Sequence, residues 1–111
     1  MLYLAYGSNL NKKQMSFRCP NAKPLESYFL QGYKLEFKKV ATIKKTDLSE
    51  DILCCGLWEI TDDCEKSLDK YEGFPIVYRK ENILLNDGRK VMTYIKNTGK
   101  IEEPSEYYFS I

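Results

Sequence analysis

The sequence predicts an α+β fold in which two or three short helices accompany a small, mostly antiparallel β-sheet or β-barrel. Three observations favour this class. Five to seven segments have the aromatic and β-branched composition of strands, most of them are connected as hairpins, and two other stretches carry the caps of short helices. The chain has 111 residues, which fits a single domain covering 1–111.

The chain begins with a strand and a short helix. Residues 2–6 form an apolar run, which predicts the first strand. The run breaks into a Gly-Ser-Asn sequence, and Asn11 then stands at the N-cap position of a helix predicted over 12–18. Residues 23–43 are rich in aromatic and β-branched side chains, and a break at 31–32 divides them into two predicted strands.

A polar loop at 44–51 precedes another strand, predicted over 52–60. Thr61 is a good N-cap for a helix over 62–71, which has acidic residues in its first turn, and Gly73 supplies its C-terminal stop. The apolar stripe of this helix consists of Ile60, Cys64, Leu68 and Tyr71. An Asn-Asp-Gly turn then predicts a hairpin with strands over 78–85 and 90–96.

Composition excludes several classes of function. The 17 Lys and Arg balance 16 Asp and Glu at a formal charge of +1, so we expect neither nucleic acid nor a membrane as partner. The chain contains no histidine, which excludes zinc sites with His ligands and hydrolases of the Ser-His-Asp or Cys-His type. We expect no metal and no cofactor.

The four cysteines form no Cys-x-x-Cys pair, and we expect small buried thiols in a reducing compartment. Cys54 and Cys55 are adjacent in a predicted strand, so their side chains should point to opposite faces. The sequence shows no signal peptide and no apolar stretch near ~20 residues, and the protein is therefore expected to be cytoplasmic.

Glu72 is the carboxylate that the pattern singles out for proton transfer. It lies in the last helical turn before Gly73, where the negative end of the helix dipole disfavours ionisation. Desolvation by Phe74 and Pro75 would raise its pKa from roughly 4.3 toward neutrality, where a carboxyl can both accept and release a proton. The alternative interpretation is a glutamate that is simply exposed at a helix end.

The segment Tyr6-Gly7-Ser8-Asn9-Leu10 follows the first predicted strand directly. A strand that ends in Gly-Ser-Asn directs backbone N–H groups and two small polar side chains beyond its end, where they can hold a carboxylate or an oxyanion. On its own, the segment fits an ordinary strand and turn better than a binding loop.

Several motifs together resemble the gamma-glutamyl cyclotransferase-like family, over essentially the whole chain. They are, in order, Tyr6-Gly7-Ser8-Asn9-Leu10, Ala41-Thr42-Ile43, Gly56-Leu57-Trp58, Leu68-Asp69-x-x-Glu72-Gly73, Tyr78 and Pro104-Ser105-x-x-Tyr108. In this family the α-amine of a gamma-glutamyl amide attacks the γ-carbonyl, closes a lactam and releases 5-oxoproline and a free amine. The resemblance implies a small-molecule gamma-glutamyl substrate and no external nucleophile, metal or cofactor.

The resemblance also implies roles for individual residues. Glu72 matches the catalytic glutamate, which would take the proton of the substrate ammonium and return it to the leaving amine. The N–H groups of Gly7, Ser8, Asn9 and Leu10 would hold the glutamyl carboxylate or the developing oxyanion, and Gly7 permits close approach of the backbone. Tyr6, Tyr78 and Tyr108 would line the substrate pocket, whereas Ser105 fits a helix N-cap better than a ligand.

One feature departs from the family pattern. Relatives commonly continue into a C-terminal helix beside the site, whereas this sequence stops three residues after Tyr108. Three explanations stay open: a minimal member of the family, a neighbouring subunit of a homodimer that supplies part of the pocket wall, or a missing piece. The alternative function is a non-catalytic binding or regulatory domain with the same fold and pocket.

Overall fold

Seven strands and two α-helices make up the residues that this computed structural model describes, which are 1–38 and 40–97, without the side chains of Ser8, Asn9 and Lys38. In chain order the elements are β1 (Leu2–Ala5), a 3-10 turn (Gly7–Leu10), α1 (Lys12–Arg18), β2 (Lys23–Gln31), β3 (Tyr33–Lys38), β4 (Val40–Lys45), β5 (Ile52–Glu59), α2 (Asp62–Glu72), β6 (Tyr78–Leu84) and β7 (Lys90–Lys96).

The strands form two sheets. Five of them pair in the order β2-β5-β1-β7-β6, and β3 pairs with β4 in a separate two-stranded sheet. Every pairing is antiparallel except that of β1 with β7, which is parallel. The predicted α+β class with a mostly antiparallel sheet is therefore confirmed, and the described strands form an open sheet rather than a closed barrel.

The two helices begin and end where their capping residues predict. The Asn11 side chain accepts hydrogen bonds from the backbone N–H groups of Lys13 and Gln14, at 2.8 and 3.2 Å. The Thr61 hydroxyl accepts from the N–H of Cys64 at 3.3 Å. Local hydrogen bonding alone thus fixes these helix starts, which is why the sequence is sufficient to find them.

The core lies on both faces of the five-stranded sheet. Along β1, Tyr3 and Ala5 belong to the cluster that includes Met15 and Leu68 from the two helices, whereas Leu4 belongs to the cluster on the opposite face. Tyr3, Leu4 and Ala5 are all almost completely buried. The central strand therefore fixes the position of the helices on one face and of the other apolar cluster on the opposite face.

Three details differ from the sequence prediction. The region 23–43 contains parts of three strands rather than two. β4 extends to Lys45, into the predicted loop, because it pairs with β3 along its whole length: Tyr33 lies opposite Lys45 at one end, and Lys38 lies opposite Val40 at the other. Tyr71 is half exposed instead of completing the apolar stripe of α2. Cys54 is exposed while Cys55 is buried, which confirms the opposite faces but not the burial of both thiols.

All four cysteines are free thiols. Within the described part of the chain, no helix is both long enough and apolar enough to cross a lipid bilayer.

The segment between α2 and β6, residues 73–77, is called the 73–77 loop below. Gly73 ends α2 in the left-handed conformation, with φ 70° and ψ 36°, and its N–H contacts the carbonyls of Asp69 and Lys70. An added Cβ at Gly73 would lie 3.0 Å from Val77 Cγ2. Glycine is therefore needed at this position for two reasons, backbone conformation and space.

Replacing Gly73 by alanine should destabilise the fold more than replacing Gly32 by alanine. Both glycines have positive φ, but nothing lies within 4 Å of an added Cβ at Gly32. We expect Gly32→Ala to cost about 1–2 kcal/mol from backbone strain. Gly73→Ala should cost about 1 kcal/mol more because of the contact with Val77. Urea unfolding of both variants measures the difference in the free energy of unfolding. Equal losses of stability would show that the Val77 side chain moves aside for the added methyl group.

Candidate functional site

One cleft of about 510 Å³ lies where β1, β4 and the C-terminal end of α2 meet the start of β6. Most of the described lining side chains are aromatic or small, and the charged ones among them are Lys70 and Glu72. The residues that line it are Tyr3, Tyr6, Gly7, Val40, Ala41, Lys70, Tyr71, Glu72, Gly73, Val77, Tyr78 and Tyr94.

The cleft brings together four of the residues that the sequence selects: Tyr6, Gly7, Glu72 and Tyr78. Leu10 is not among the lining residues, and its side chain instead lies against Gly56 of β5, with Cδ2 at 3.1 Å from an ideal Cβ there. The backbone of Ser8 and Asn9 belongs to the 3-10 turn, but their side chains lie outside the description. Tyr108 and Ser105 also fall outside the described residues.

Glu72 occupies the last position of α2, as expected from the sequence. It is half-buried, at the negative end of the helix dipole and directly before the left-handed turn at Gly73. Its charge contributes to raising the pKa values of Tyr6 and Tyr78. The Glu72 carboxylate thus lies within electrostatic reach of two phenols in the same cleft.

The Tyr6 phenol is held between β7 and β4. Its hydroxyl donates a short hydrogen bond to the carbonyl of Tyr94. Burial raises the pKa of Tyr6 well above its ordinary value, a hydrogen bond with the Thr42 side chain opposes this rise, and the charges of Tyr78 and Glu72 add to it. Tyr6 therefore stays neutral and fixed in position at any pH near neutrality.

Tyr78 is 8% exposed, and its hydroxyl donates to the carbonyl of Ala41 at 2.6 Å. Burial raises the pKa of Tyr78 to about 12, and the nearby charge of Glu72 acts in the same direction. Because a phenol has one proton and the Ala41 carbonyl accepts it, the Tyr78 oxygen can offer only lone pairs to a ligand in the cleft.

A polar network behind the cleft attaches α2 to the sheet. The Tyr94 hydroxyl donates to Asp69 Oδ1 at 2.6 Å, and Lys80 Nζ lies 3.0 Å from the Asp69 carboxylate and 2.6 Å from Glu65 Oε2. The Lys80 ammonium also lies 4.4 Å from the centre of the Phe74 ring. Burial, followed by the hydrogen bond to Asp69, raises the pKa of Tyr94 far above its ordinary value.

Sequence reasoning did not identify Tyr94, Tyr3 or Ala41 as part of a site. A weak signal was present, since alternation in the predicted strand 90–96 puts Tyr94 on the same face as Met92. The sequence does not tell which face meets the helices, however. Ala41 and Thr42 belong to one of the motifs quoted above, and in the structure each contacts a tyrosine of the cleft.

Among the residues that the structure describes, no group of three or more His, Cys, Asp and Glu side chains could hold a metal ion. Among the described residues that line the cleft, the one carboxylate is Glu72, and the other polar groups are phenols, one ammonium group and backbone. This set suits recognition of a small polar molecule through hydrogen bonds and charge.

The sequence matches the family model described as "Gamma-glutamyl cyclotransferase, AIG2-like" over residues 3–109. The fold is similar to a solved structure titled "Gamma-glutamyl cyclotransferase", with a TM-score of 0.74 and 24% identity, covering 88% of this chain and 67% of that chain. It is also similar to an uncharacterized protein from Homo sapiens, with a TM-score of 0.72 and 25% identity, covering 87% of this chain and 66% of that one.

The fold is also similar to an uncharacterized protein from Pyrococcus horikoshii, with a TM-score of 0.65 and 16% identity. This match covers 98% of the present chain and 97% of the Pyrococcus horikoshii chain. The chain therefore spans about two thirds of the length of the first two structures and nearly all of the third. No curated protein matches the sequence significantly.

Because the pKa of Tyr78 is raised, we expect the fold to lose stability at alkaline pH. A phenol with pKa about 12 in the folded state and about 10 when unfolded stabilises the fold fully below pH 10 and loses that contribution as the pH rises toward 12. We expect this loss to reach about 2 kcal/mol by pH 12 and to be absent in Tyr78→Phe. Urea unfolding of both proteins between pH 9 and 12 measures it; parallel curves would contradict the shift.

Proposed function

Because this chain belongs to the gamma-glutamyl cyclotransferase, AIG2-like family, we propose that it cleaves gamma-glutamyl amides by intramolecular cyclisation. The substrate's α-nitrogen forms a bond to the γ-carbonyl carbon, the amide C–N bond breaks, and 5-oxoproline and a free amine leave. The observation that carries the proposal is the cleft, in which Glu72 lies together with Tyr6, Gly7 and Tyr78.

The lining of the cleft supports a reaction in which the substrate supplies its own nucleophile. The described lining residues include no serine, threonine or cysteine. A well-oriented intramolecular amine needs no nucleophile from the protein, since orientation alone can contribute several kcal/mol to such a reaction. The main task of the cleft is then to fold the glutamyl chain so that its amine faces its own γ-carbonyl.

In this proposal Glu72 transfers the proton. Its carboxylate accepts a proton from the substrate ammonium, which frees the nitrogen lone pair for attack, and then gives the proton to the leaving nitrogen. After attack the lactam nitrogen still carries a second proton, which also passes to the leaving nitrogen, so that the amine departs as an ammonium ion. The net proton count of the protein is unchanged after one cycle. Glu72 is suited to this role because it is half-buried and is the one carboxylate among the described residues that line the cleft.

The Tyr78 oxygen completes the ammonium site. Its proton is donated to the Ala41 carbonyl, so the oxygen that remains beside Glu72 accepts a hydrogen bond from a cation. The substrate α-ammonium therefore binds between the Glu72 carboxylate and the Tyr78 phenol. Tyr6 forms the neighbouring wall and is fixed by its bond to the Tyr94 carbonyl.

Gly7 also lines the cleft, at the start of the 3-10 turn. It has a φ of 66°, which strains any residue with a Cβ, and an added Cβ would also take up space in the cleft, where its nearest neighbour is Ala41 Cβ at 3.9 Å. We propose that backbone N–H groups of Gly7–Leu10 hold the glutamyl carboxylate or the carbonyl oxygen as it becomes an oxyanion.

Replacing Glu72 by glutamine should abolish turnover while leaving the fold intact. We expect the native protein to release 5-oxoproline from at least one member of a panel of gamma-glutamyl dipeptides and gamma-glutamylamines. Glu72→Gln should lower kcat by at least about a hundredfold, because the amide cannot accept the proton. Glu50→Gln is the matched control, since Glu50 lies in an exposed turn away from the cleft.

Full activity of Glu72→Gln would overturn the proton-transfer role. Tight retention of a gamma-glutamyl ligand without any 5-oxoproline would instead identify the alternative, a non-catalytic binding domain with the same pocket.

Replacing Tyr78 by phenylalanine should weaken binding only of ligands that carry the α-amine. In the Glu72→Gln background, we expect the Kd for a gamma-glutamyl amide to rise about tenfold or more, the effect of one lost hydrogen bond to a charged group. The Kd for glutaric acid monoamide, which lacks the amine, should change less than twofold. Calorimetry measures both, and equal weakening of the two ligands would refute the ammonium site.

A further inference from the structure

Asn97, the first residue after β7, contacts three consecutive residues of the 73–77 loop. Its side-chain Nδ2 donates to the carbonyls of Pro75 and Ile76, at 2.8 and 2.9 Å. Its backbone N–H donates to the carbonyl of Val77 at 2.9 Å. One residue thus satisfies three successive carbonyl groups of a loop that lies between Glu72 and Tyr78.

The far end of the same loop is bonded to α2. The N–H of Phe74 donates to the Asp69 carbonyl at 2.9 Å, and the N–H of Val77 donates to the Gly73 carbonyl at 2.8 Å. The loop is therefore connected by hydrogen bonds from the last turn of the helix to the end of β7. This chain of bonds leads from Asn97 to Gly73, the residue directly after Glu72.

We propose that Asn97 is a positioning residue, which holds the 73–77 loop and thereby sets the Glu72 carboxylate at its working distance from the Tyr78 phenol. This inference rests on the proposed function only for the roles of Glu72 and Tyr78. The hydrogen bonds between Asn97 and the loop are seen in the structure and do not depend on that function.

Asparagine is suited to this position because its amide has two N–H donors on one nitrogen. Both carbonyls that face Nδ2 accept a hydrogen bond from it, and an ionised aspartate side chain could donate to neither. A carboxylate at position 97 would bring its negative charge against two carbonyl oxygens. Its protonated form would still have one O–H donor. An Asn97→Asp variant is therefore a pH-dependent version of the same contact.

A merely structural role predicts a different result from a positioning role. The two side-chain bonds are solvent-exposed, so water can replace them at small cost to the stability of the fold. The geometry of a proton transfer is far less tolerant, since a displacement near ~1 Å can cost up to about a hundredfold in rate. If Asn97 positions Glu72, kcat should change much more than the stability does.

The experiment compares Asn97→Ala and Asn97→Asp with matched controls at Asn82. Asn82 lies on the exposed side of β6 and does not line the cleft, so Asn82→Ala and Asn82→Asp make the same chemical changes elsewhere. At a temperature at which all variants are folded, we expect both Asn97 variants to lose about tenfold or more in kcat with KM changed less than twofold. Both controls should stay within twofold of the native protein.

The pH profile supplies the readout that a structural role would not move. Because the two Asn97 variants share Glu72, the ratio of their kcat values isolates the group at position 97. We expect Asn97→Asp to be the more active variant at low pH, where its carboxyl donates, and the less active one at high pH, where its charge repels the carbonyls. A flat ratio, or kcat values within twofold of native, would overturn the proposal.

A second measurement separates this proposal from the proposed function. Hydrogen exchange of the Phe74 and Val77 amides, followed by NMR, should accelerate about tenfold or more in Asn97→Ala and stay unchanged in Asn82→Ala, because these two amides make the bonds that join the loop to Asp69 and Gly73. If the native protein forms no 5-oxoproline, the proposed function fails while this readout still tests the loop contact. Unchanged exchange would refute the role of Asn97 whatever the activity.

Discussion

The attachment of the last turn of α2 to the sheet is the constraint on which the rest of the cleft depends. Asp69 makes this attachment with both of its polar groups. Its carboxylate accepts from Tyr94 on β7 and pairs with Lys80 on β6, while its backbone carbonyl accepts from the N–H groups of Gly73 and Phe74. The same residue therefore fixes the helix to the sheet and starts the turn that directs Glu72 into the cleft. Charge-assisted bonds of this kind are roughly twice as strong as neutral ones, which suits them to hold a helix end.

Proton chemistry in this cleft is arranged without histidine. The phenols of Tyr6, Tyr78 and Tyr94 all have raised pKa values, and each donates its proton to a protein acceptor. These groups are therefore fixed hydrogen-bonding partners that neither gain nor lose a proton near neutral pH. Glu72 remains as the carboxylate of the described cleft, so a single group carries the proton in the proposed cycle.

Local chemistry explains which parts of the structure the sequence could predict. The caps at Asn11, Thr61 and Gly73 act within one helical turn, and each was found where its side chain or φ angle requires it. The bonds from Asn97 to the 73–77 loop and from Tyr94 to Asp69 join residues at least twenty positions apart, and no periodicity encodes them. For Tyr71, periodicity gave the wrong prediction. Helical spacing predicts burial, but the Tyr71 ring is half exposed, and the Arg18 guanidinium carbon lies 3.6 Å from the centre of this ring.

The parallel pairing of β1 with β7 has a consequence for how the protein acquires its cleft. Tyr6 and Tyr94 meet across a sequence separation of 88 residues, and Tyr3 pairs in register with Met92. Contacts of such long range close large loops, and the entropy cost of this closure slows folding. During synthesis the ribosome releases Tyr6, Glu72 and Tyr78 well before β7, so the nascent chain holds most of its cleft-lining residues before it can build the cleft. The cleft therefore needs residues from both ends of the described chain, and a prematurely terminated chain that lacks β7 would carry Glu72 without the Tyr94 that completes the lining around it.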